Sequence, residues 1–187
     1  MKTESNVRYV IRLAATLLII TSLVAAALAG VNMLTAPVIA GHTAEKTRQA
    51  VEAVLPGGGE EMADLPAADF EGADLVSKVY KGENGYAVEV APVGFDNTIT
   101  MMVGVGADGS VLGIDIIKHT ETAGLGAVAD AQTPAGQAFR EQFAGASGLV
   151  AVSKDGGSVD AITGATITSR AICAGVNAAL ACVAALG

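Results

Sequence analysis

The chain has 187 residues, of which 51% are apolar and only 4% aromatic, and it contains no tryptophan. This length allows one compact domain and a membrane segment but excludes two ordinary domains. The formal net charge of −8 excludes nucleic acid and anionic lipid surfaces as natural partners. Three of the eleven basic residues but only one acidic residue, Glu4, lie in the first twelve positions, so the rest of the chain is strongly acidic.

An uncharged apolar segment follows this basic N-terminus. No Asp, Glu, Lys or Arg occurs between residues 13 and 44, and residues 13–34 are the most apolar part. A helix of that length spans a hydrocarbon core of about 30 Å. We therefore predict a single transmembrane helix over 13–34. The basic residues place 1–12 in the cytoplasm and the rest of the chain outside it.

A cleaved signal peptide is the alternative interpretation of this segment. Ala27-Leu28-Ala29 has the small residues of a cleavage site. However, the apolar run is longer than the usual core of a signal peptide and continues beyond Ala29 through Met33 and Leu34. These features favour a retained membrane anchor.

Residues 35–74 are predicted to form a stalk helix and an acidic linker. Thr43 is a candidate N-cap for a helix that runs to about Leu55, unless the membrane helix simply continues outward. The run from Pro56 to Gly59 is expected to end this helix. An acidic stretch without regular structure is predicted from Glu60 to about Asp74.

Residues 75–187 are predicted to form one α+β domain with a mainly antiparallel sheet and flanking helices. Alternating apolar residues indicate four closely spaced strands, with a hairpin turn at 107–109. Two helices and a further short strand should follow. The strands are predicted at 75–80, 86–90, 98–105, 111–118 and 149–152, and the helices after Thr133-Pro134 and from about Ile167 to Leu186.

The last predicted helix is apolar enough to be considered as a second membrane span. From Ala171 onward its only strongly polar residue is Asn177, but its side chains are mostly small, which favours a buried core helix. Cys173 and Cys182 would point to opposite sides of it and cannot form a disulfide with each other. These cysteines and the two histidines, His42 and His119, are too scattered for a zinc or iron–sulfur site.

Residues 163–170 suggest an anion site from local chemistry alone. A turn of small residues, Gly164 and Ala165, precedes a helix, and Thr166 lies at its start. Backbone N–H groups there have no intrahelical partner, and the helix dipole favours negative charge. A phosphate at the Thr166 hydroxyl would satisfy both. The simpler alternative is a threonine that only caps the helix.

The segment Asp160-Ala161-Ile162-Thr163-Gly164-Ala165-Thr166 resembles the flavinylation signature of FMN-binding domains. In that family the last threonine carries FMN through a phosphoester bond, which a dedicated flavin transferase makes from FAD. The family includes the G subunit of the Rnf electron-transport complex and the C subunit of the sodium-pumping NADH:quinone reductase. The short chain and the residues of the motif favour the Rnf protein.

A second motif, from Lys118 to Gly126, is similar to the Glu-Thr-Pro-Gly-Leu-Gly loop that lies against the flavin in this family, with Ala123 in place of the proline. The resemblance implies that Thr166 carries the FMN and that Asp160 helps to present the segment to the transferase. It also implies further residues at the cofactor site. These are Thr163, Gly164, Ala165, Thr168, Glu121, Thr122, Gly124, Leu125 and Gly126, with Gly94-Phe95-Asp96 as a further edge.

The resemblance implies an electron-carrying FMN subunit of a membrane-bound ferredoxin:NAD⁺ oxidoreductase that moves Na⁺ or H⁺. Its partners would be the membrane and iron–sulfur subunits of that complex and the flavin transferase. It implies no metal, no catalytic side chain and no activity in isolation. The alternatives are the equivalent subunit of a sodium-pumping quinone reductase, a stand-alone flavoprotein reductase, and a membrane-anchored binding module without a redox group.

Overall fold

The computed structural model describes residues 2–63 and 70–186, with side chains from residue 8 onward. Residues 64–69, which belong to the predicted acidic linker, lie outside the described residues. The chain divides into two compact units, Met1–Ala44 and Glu45–Gly187.

Helix α1, Lys2–Val54, forms the whole described part of the first unit. By length and composition it is able to cross a membrane, and its large apolar side chains from Tyr9 to Ile39 are exposed. The Thr16 and Thr21 hydroxyls donate to carbonyls one turn earlier, at 2.8 and 2.9 Å, so these polar groups are satisfied within an apolar helix. These features support association with a membrane.

The prediction that Thr43 caps a new helix is wrong. Thr43 lies inside α1, where its hydroxyl donates to the carbonyl of Ile39 at 3.0 Å. Gly41, two residues earlier, does not break the helix, because a single glycine weakens a helix without ending it. The predicted membrane helix and the predicted stalk are therefore one continuous helix, the alternative considered from the sequence.

The last turns of α1 belong to the second unit. Ala50, Val51, Val54 and the following Leu55 are buried and pack with apolar residues of a sheet. Close approach is possible because the facing sheet residue is Gly104, where a Cβ atom would collide with the backbone oxygen of Val54. The residues that α1 covers on this face are Tyr80, Ala87, Met102 and Ile117.

Five antiparallel strands form the sheet, in the order in which they occur along the chain. The four predicted strands at 75–118 are confirmed with small shifts at their ends, as is the hairpin turn between the last two. The predicted irregular stretch after the α1 end begins instead with a short edge strand. The strands are β1 (Glu60–Glu61), β2 (Val76–Lys81), β3 (Gly85–Val90), β4 (Thr100–Gly106) and β5 (Val111–Lys118).

Two helices follow the sheet, α2 (Pro134–Glu141) and α3 (Thr166–Leu186). Helix α2 begins as predicted, because Pro134 occupies its first turn and the Thr133 hydroxyl accepts the N–H of Gly136 at 3.3 Å. Helix α3 packs against the sheet face opposite α1 and contributes Ile172, Val176 and Ala179 to the larger buried cluster. The α+β fold is thus a sheet with helical residues on both faces.

Helix α3 is also long and apolar enough to cross a membrane, but half of its most apolar segment is buried within the domain. Its one polar residue beyond Ala171, Asn177, exchanges two 2.8 Å hydrogen bonds with the backbone of Val150. The prediction of a short strand at 149–152 is wrong. The Asn177 side chain occupies the N–H and the carbonyl of Val150, and this segment forms only an isolated bridge between Val152 and Val159.

Candidate functional site

The segment before α3 turns sharply and delivers Thr166 to the first position of the helix. Gly164 adopts φ +77°, which an L side chain rarely tolerates, and the N–H of Ala165 donates to the carbonyl of Ile162 at 2.9 Å. The N–H of Ser169 donates to Ala165 at 3.0 Å and thereby starts the helical pattern. The amides of residues 166–168 precede this bond and form the positive N-terminus of α3.

Hydrogen bonds fasten this segment at both ends. The Gln142 side chain accepts the N–H of Asp160 at 2.7 Å and donates to its carbonyl at 3.3 Å. The Ser169 hydroxyl accepts the N–H of Ile162 at 3.0 Å and donates to Ala165 at the same distance. Between these points Thr163 and Gly164 are exposed, as is Asp160. The structure therefore holds the segment in one shape and leaves its middle accessible to another protein.

Glu121 is buried, with 7% of its surface exposed, and its carboxylate joins three separate segments. One oxygen accepts the N–H groups of Phe95 and Asp96 at 2.9 and 3.2 Å, and the other accepts the Thr168 hydroxyl at 2.5 Å. All of these donors belong to the protein, so Glu121 organises the site by holding its segments together.

Two glycines make room for the Glu121 carboxylate. A Cβ atom at Gly94 would collide with one carboxylate oxygen, and a Cβ atom at Gly126 would collide with the other. At Gly126 it would also lie 2.6 Å from the hydroxyl of Thr168. The glycine at the end of the 118–126 motif is therefore explained by the buried carboxylate within the same motif.

A neighbouring histidine orients the start of the same loop. His119 accepts the N–H of Glu121 at 3.2 Å through Nδ1, and its Nε2 lies 3.6 Å from a carboxylate oxygen of Asp130. His119 does not line the cavity described next. It is therefore a support for the loop and not part of the cavity wall.

These segments enclose a cavity of about 300 Å³. Most residues predicted for the cofactor site line it, so residues of both motifs lie around one cavity. Asp160, Thr163 and Gly124 do not line it and lie exposed. The lining residues are Phe95, Glu121, Thr122, Leu125, Gly126, Lys154 and Gly164–Thr168.

Lys154 is a wall residue that the sequence reasoning missed. It lies in a 3₁₀ helix, Ser153–Asp155, and its Nζ donates to the Thr166 hydroxyl oxygen at 3.3 Å. The next residue, Asp155, receives two 2.6 Å hydrogen bonds from Arg170, which hold the pKa of its carboxyl below the ordinary value. No spacing rule finds Lys154, because its contact with Thr166 depends on the turn between Val152 and Val159.

The cavity wall has a polar part and an apolar part. Thr166, Lys154 and the α3 N-terminus form the polar part. Phe95, Leu125 and Ile167 form the apolar part, with 67, 42 and 51% of their surfaces exposed. A phosphate suits the first region and an aromatic ring system suits the second. The site therefore fits an amphipathic phosphorylated ligand such as a flavin nucleotide.

A larger cavity, of about 980 Å³, lies along the C-terminal half of α3 and contains none of the predicted site residues. Its walls are mostly apolar, with Leu149, Leu180 and Val183 among them. Size alone does not identify the functional site here, since the motifs and the attachment hydroxyl converge on the smaller cavity.

Comparison with known proteins agrees with this assignment. The pattern that describes the FMN-binding domain family matches residues 94–181, a range that includes every residue lining the smaller cavity. The fold and the site thus define an FMN-binding domain. FMN is its cofactor.

Similar proteins identify more closely the family to which the chain belongs. The chain is 34% identical to the G subunit of the Na⁺-translocating ferredoxin:NAD⁺ oxidoreductase complex of Acetobacterium woodii, over 94% of this chain and 92% of the relative. It is 31% identical to the G subunit of the ion-translocating oxidoreductase complex of Methanosarcina acetivorans, over 94% and 95%. The chain therefore belongs to the family of G subunits of ion-translocating oxidoreductase complexes, the Rnf family. This favours the Rnf protein over the alternatives considered from the sequence.

A third relative differs in its coupling ion. The G subunit of the proton-translocating ferredoxin:NAD⁺ oxidoreductase complex of Clostridium ljungdahlii is 38% identical over about half of each chain, 51% in both cases. The names of the relatives thus include both sodium and proton translocation.

Proposed function

We propose that this chain is the FMN-bearing electron carrier of a membrane-bound ferredoxin:NAD⁺ oxidoreductase that couples electron transfer to Na⁺ or H⁺ translocation. In this proposal FMN is attached through a phosphoester bond to Thr166. The observation that carries it is the position of the Thr166 hydroxyl, which lies at the N-terminus of α3 and on the wall of the cavity formed by both motifs.

The residues of the cavity have distinct parts in holding FMN. The N-terminus of α3 would hold the phosphate, and the exposed apolar side chains of Phe95, Leu125 and Ile167 would contact the ring system. Glu121 keeps the three walls together through its hydrogen bonds to Phe95, Asp96 and Thr168. When bound, FMN supplies the ability to take up and release one or two electrons. The protein orients it and requires no side chain that exchanges protons with a substrate.

The cavity volume bears on how electrons reach the flavin. About 300 Å³ is at the lower end of the range for small-molecule sites, so the walls surround only part of a molecule as large as FMN. The remaining part of a bound FMN would be exposed, and the exposed side chains of Phe95 and Ile167 would be available to contact it. This arrangement suits a carrier that exchanges electrons with cofactors of other subunits at its surface.

The predicted organisation of the chain is retained in the proposal. Residues 1–12 lie in the cytoplasm, 13–34 cross the membrane, 35–74 connect, and 75–187 bind FMN outside the cytoplasm. The packing of Val51 and Val54 on the sheet ties the end of α1 directly to the flavin domain. The partners are the membrane and iron–sulfur subunits of the complex, and two relatives carry ferredoxin:NAD⁺ oxidoreductase in their names.

The remaining predicted residues act in attachment or in shaping the site. Asp160 is exposed and presents the segment to the flavin transferase, while Thr163 and Gly164 give that enzyme access to Thr166. Ala165 is buried and fixes the start of α3. The loop residues Thr122, Leu125 and Gly126 form part of the cavity wall, and the exposed Gly124 lies in the same loop.

Coexpression of the full chain with a flavin transferase tests the proposal. The intact mass should increase by one FMN less one water, and the band should fluoresce in a denaturing gel, where only a covalent flavin remains. Thr166→Val should abolish both signals. The matched control is Thr120→Val, at an exposed threonine that does not line the cavity. It should be labelled like the wild type. A wild-type chain that gains no mass, or a labelled Thr166→Val chain, would contradict the proposal.

A further inference from the structure

Lys154 brings a positive charge to the attachment hydroxyl from outside both motifs. Its Nζ lies 3.3 Å from Oγ1 of Thr166, and among the described residues that line the cavity it is the only cation. The other charged group in the wall, Glu121, has both carboxylate oxygens occupied by protein donors. Lys154 is therefore the charged side chain available to a phosphate at Thr166.

The backbone on either side of Lys154 is tied to the helix that carries Thr166. On one side Asn177 of α3 holds the backbone of Val150. On the other side Arg170 of α3 binds the carboxylate of Asp155 with two hydrogen bonds. Both ties lead to α3, so they hold the segment that carries Lys154 beside the helix that carries Thr166, although the Lys154 side chain is exposed.

We propose that Lys154 is the positioning cation of the attachment site, which orients the Thr166 hydroxyl before FMN is attached and neutralises the phosphodiester afterwards. This inference rests on the proposed attachment at Thr166 and adds a residue that lies outside the two motifs. The lysine acts by charge and hydrogen bonding, through Thr166 and the phosphate, and does not itself exchange electrons.

The attachment step shows what a cation contributes. Oγ1 of Thr166 forms a bond to the phosphorus on the flavin side of FAD, the bond from that phosphorus to the bridging pyrophosphate oxygen breaks, and AMP leaves. The hydroxyl proton passes to a base of the transferase or to water. A protonated lysine has three N–H donors and no acceptor, so Lys154 directs that proton away from itself. Its charge stabilises the negative charge that develops on Oγ1 and remains on the diester.

The size of the effect is set by solvent exposure. Lys154 is exposed, and water and salt weaken an interaction between exposed charges. We expect removal of the charge to slow attachment about fivefold without preventing it. Because the interaction is electrostatic, added salt should slow the wild-type chain more than a chain that lacks the charge.

The test is a time course of FMN attachment to the full chain by purified flavin transferase with FAD, followed by intact mass. Lys154→Met should attach FMN about fivefold more slowly, whereas Lys154→Arg should stay within about twofold of the wild type because it keeps the charge. The matched control is Lys81→Met, which removes the same charge from an exposed lysine outside the cavity. It should react at the wild-type rate.

A second readout separates a local role from contact with the transferase. Phosphorus NMR of the fully labelled chains should show a shifted diester resonance in Lys154→Met, because the charge next to the phosphate is lost, and no shift in Lys81→Met. A wild-type attachment rate in Lys154→Met overturns the inference. Slower attachment with an unchanged phosphorus resonance also overturns it, since the lysine would then serve only the transferase. A wild-type chain that gains no FMN refutes the proposed function itself. This outcome is distinct from a failure of the inference, in which the wild-type chain is labelled and Lys154→Met behaves like it.

Discussion

The carboxylate of Glu121 accepts a hydrogen bond from the hydroxyl of Thr168 at 2.5 Å, although 47 positions separate the two residues in the chain. This bond joins the loop after β5 to the first turn of α3. The same carboxylate also holds the amides of Phe95 and Asp96. One buried side chain thus fixes the relative positions of three walls of the flavin cavity.

Substitutions at Glu121 should distinguish its hydrogen bonds from its charge. Glu121→Ala deprives two backbone N–H groups of their acceptor and should lower the free energy of unfolding by about 2–4 kcal/mol. Glu121→Gln should cost less than about 1.5 kcal/mol, because the amide oxygen still accepts both N–H groups and the Thr168 hydroxyl can accept from the amide nitrogen. Urea unfolding of the detergent-solubilised chain measures both, and amide exchange at Phe95 and Asp96 reports the local effect. Equal losses in the two variants would argue against this bonding pattern.

Packing of α1 on the sheet should depend on the absence of a side chain at Gly104. In Gly104→Ala the new methyl group meets the backbone carbonyl of Val54 and lies 2.9 Å from its Cβ atom, so we expect destabilisation by about 1–3 kcal/mol. The cross-strand partner Gly113 is the matched control, because a Cβ atom there meets nothing within 4 Å. Gly113→Ala should change stability by less than about 0.5 kcal/mol. Similar unfolding curves for the two variants would contradict the described contact.

The two hydrogen bonds of Asn177 should contribute measurably to the fold. Asn177→Leu leaves the buried N–H and carbonyl of Val150 without side-chain partners and should cost about 2–4 kcal/mol of unfolding free energy. Asn177→Asp keeps an acceptor for the N–H but loses the donor, so its loss should be intermediate. Thermal unfolding of both variants gives the order. A Leu variant as stable as the wild type would show that α3 does not depend on this contact.

Burial raises the pKa of the Cys173 thiol to about 11. The folded chain therefore keeps this proton up to about pH 11, whereas an unfolded cysteine loses it near about pH 8.5. The contribution of the thiol to stability is complete below that lower value and is lost progressively as the pH rises toward 11. The difference in unfolding free energy between the wild type and Cys173→Ala should accordingly shrink over this interval. A difference that stays constant from about pH 8 to 11, or grows, would be inconsistent with a buried neutral thiol.

Local sequence signals predicted much of the fold and the attachment segment. The alternation at Val111–Lys118 indicated a strand with the observed bounds, and the turn at Gly164 correctly placed Thr166 at the start of α3. Such features depend on a few neighbouring residues, whose periodicity and turn chemistry are visible in the chain. The resemblance of the two motifs to one family also predicted that Glu121 and Thr166 would line the same site.

The features that escaped prediction are contacts between distant residues. Lys154 meets Thr166, and Asn177 meets Val150, through turns that no periodic pattern encodes. The role of Glu121 was incomplete for the same reason, since its bonding partners lie in two other segments. Thr43 shows the opposite error, because a residue suited to capping was interpreted as a cap although the helix continues through Pro37 and Gly41 before it.

The most direct test of FMN attachment at Thr166 is to locate the flavin within the chain. Trypsin should cleave after Lys154 and after Arg170 and release residues 155–170, which include Thr163, Thr166 and Thr168. After labelling of the full chain with FAD and flavin transferase, fragmentation of this peptide should place one FMN on Thr166. A peptide without added mass, or a flavin on either neighbouring threonine, would contradict the central claim.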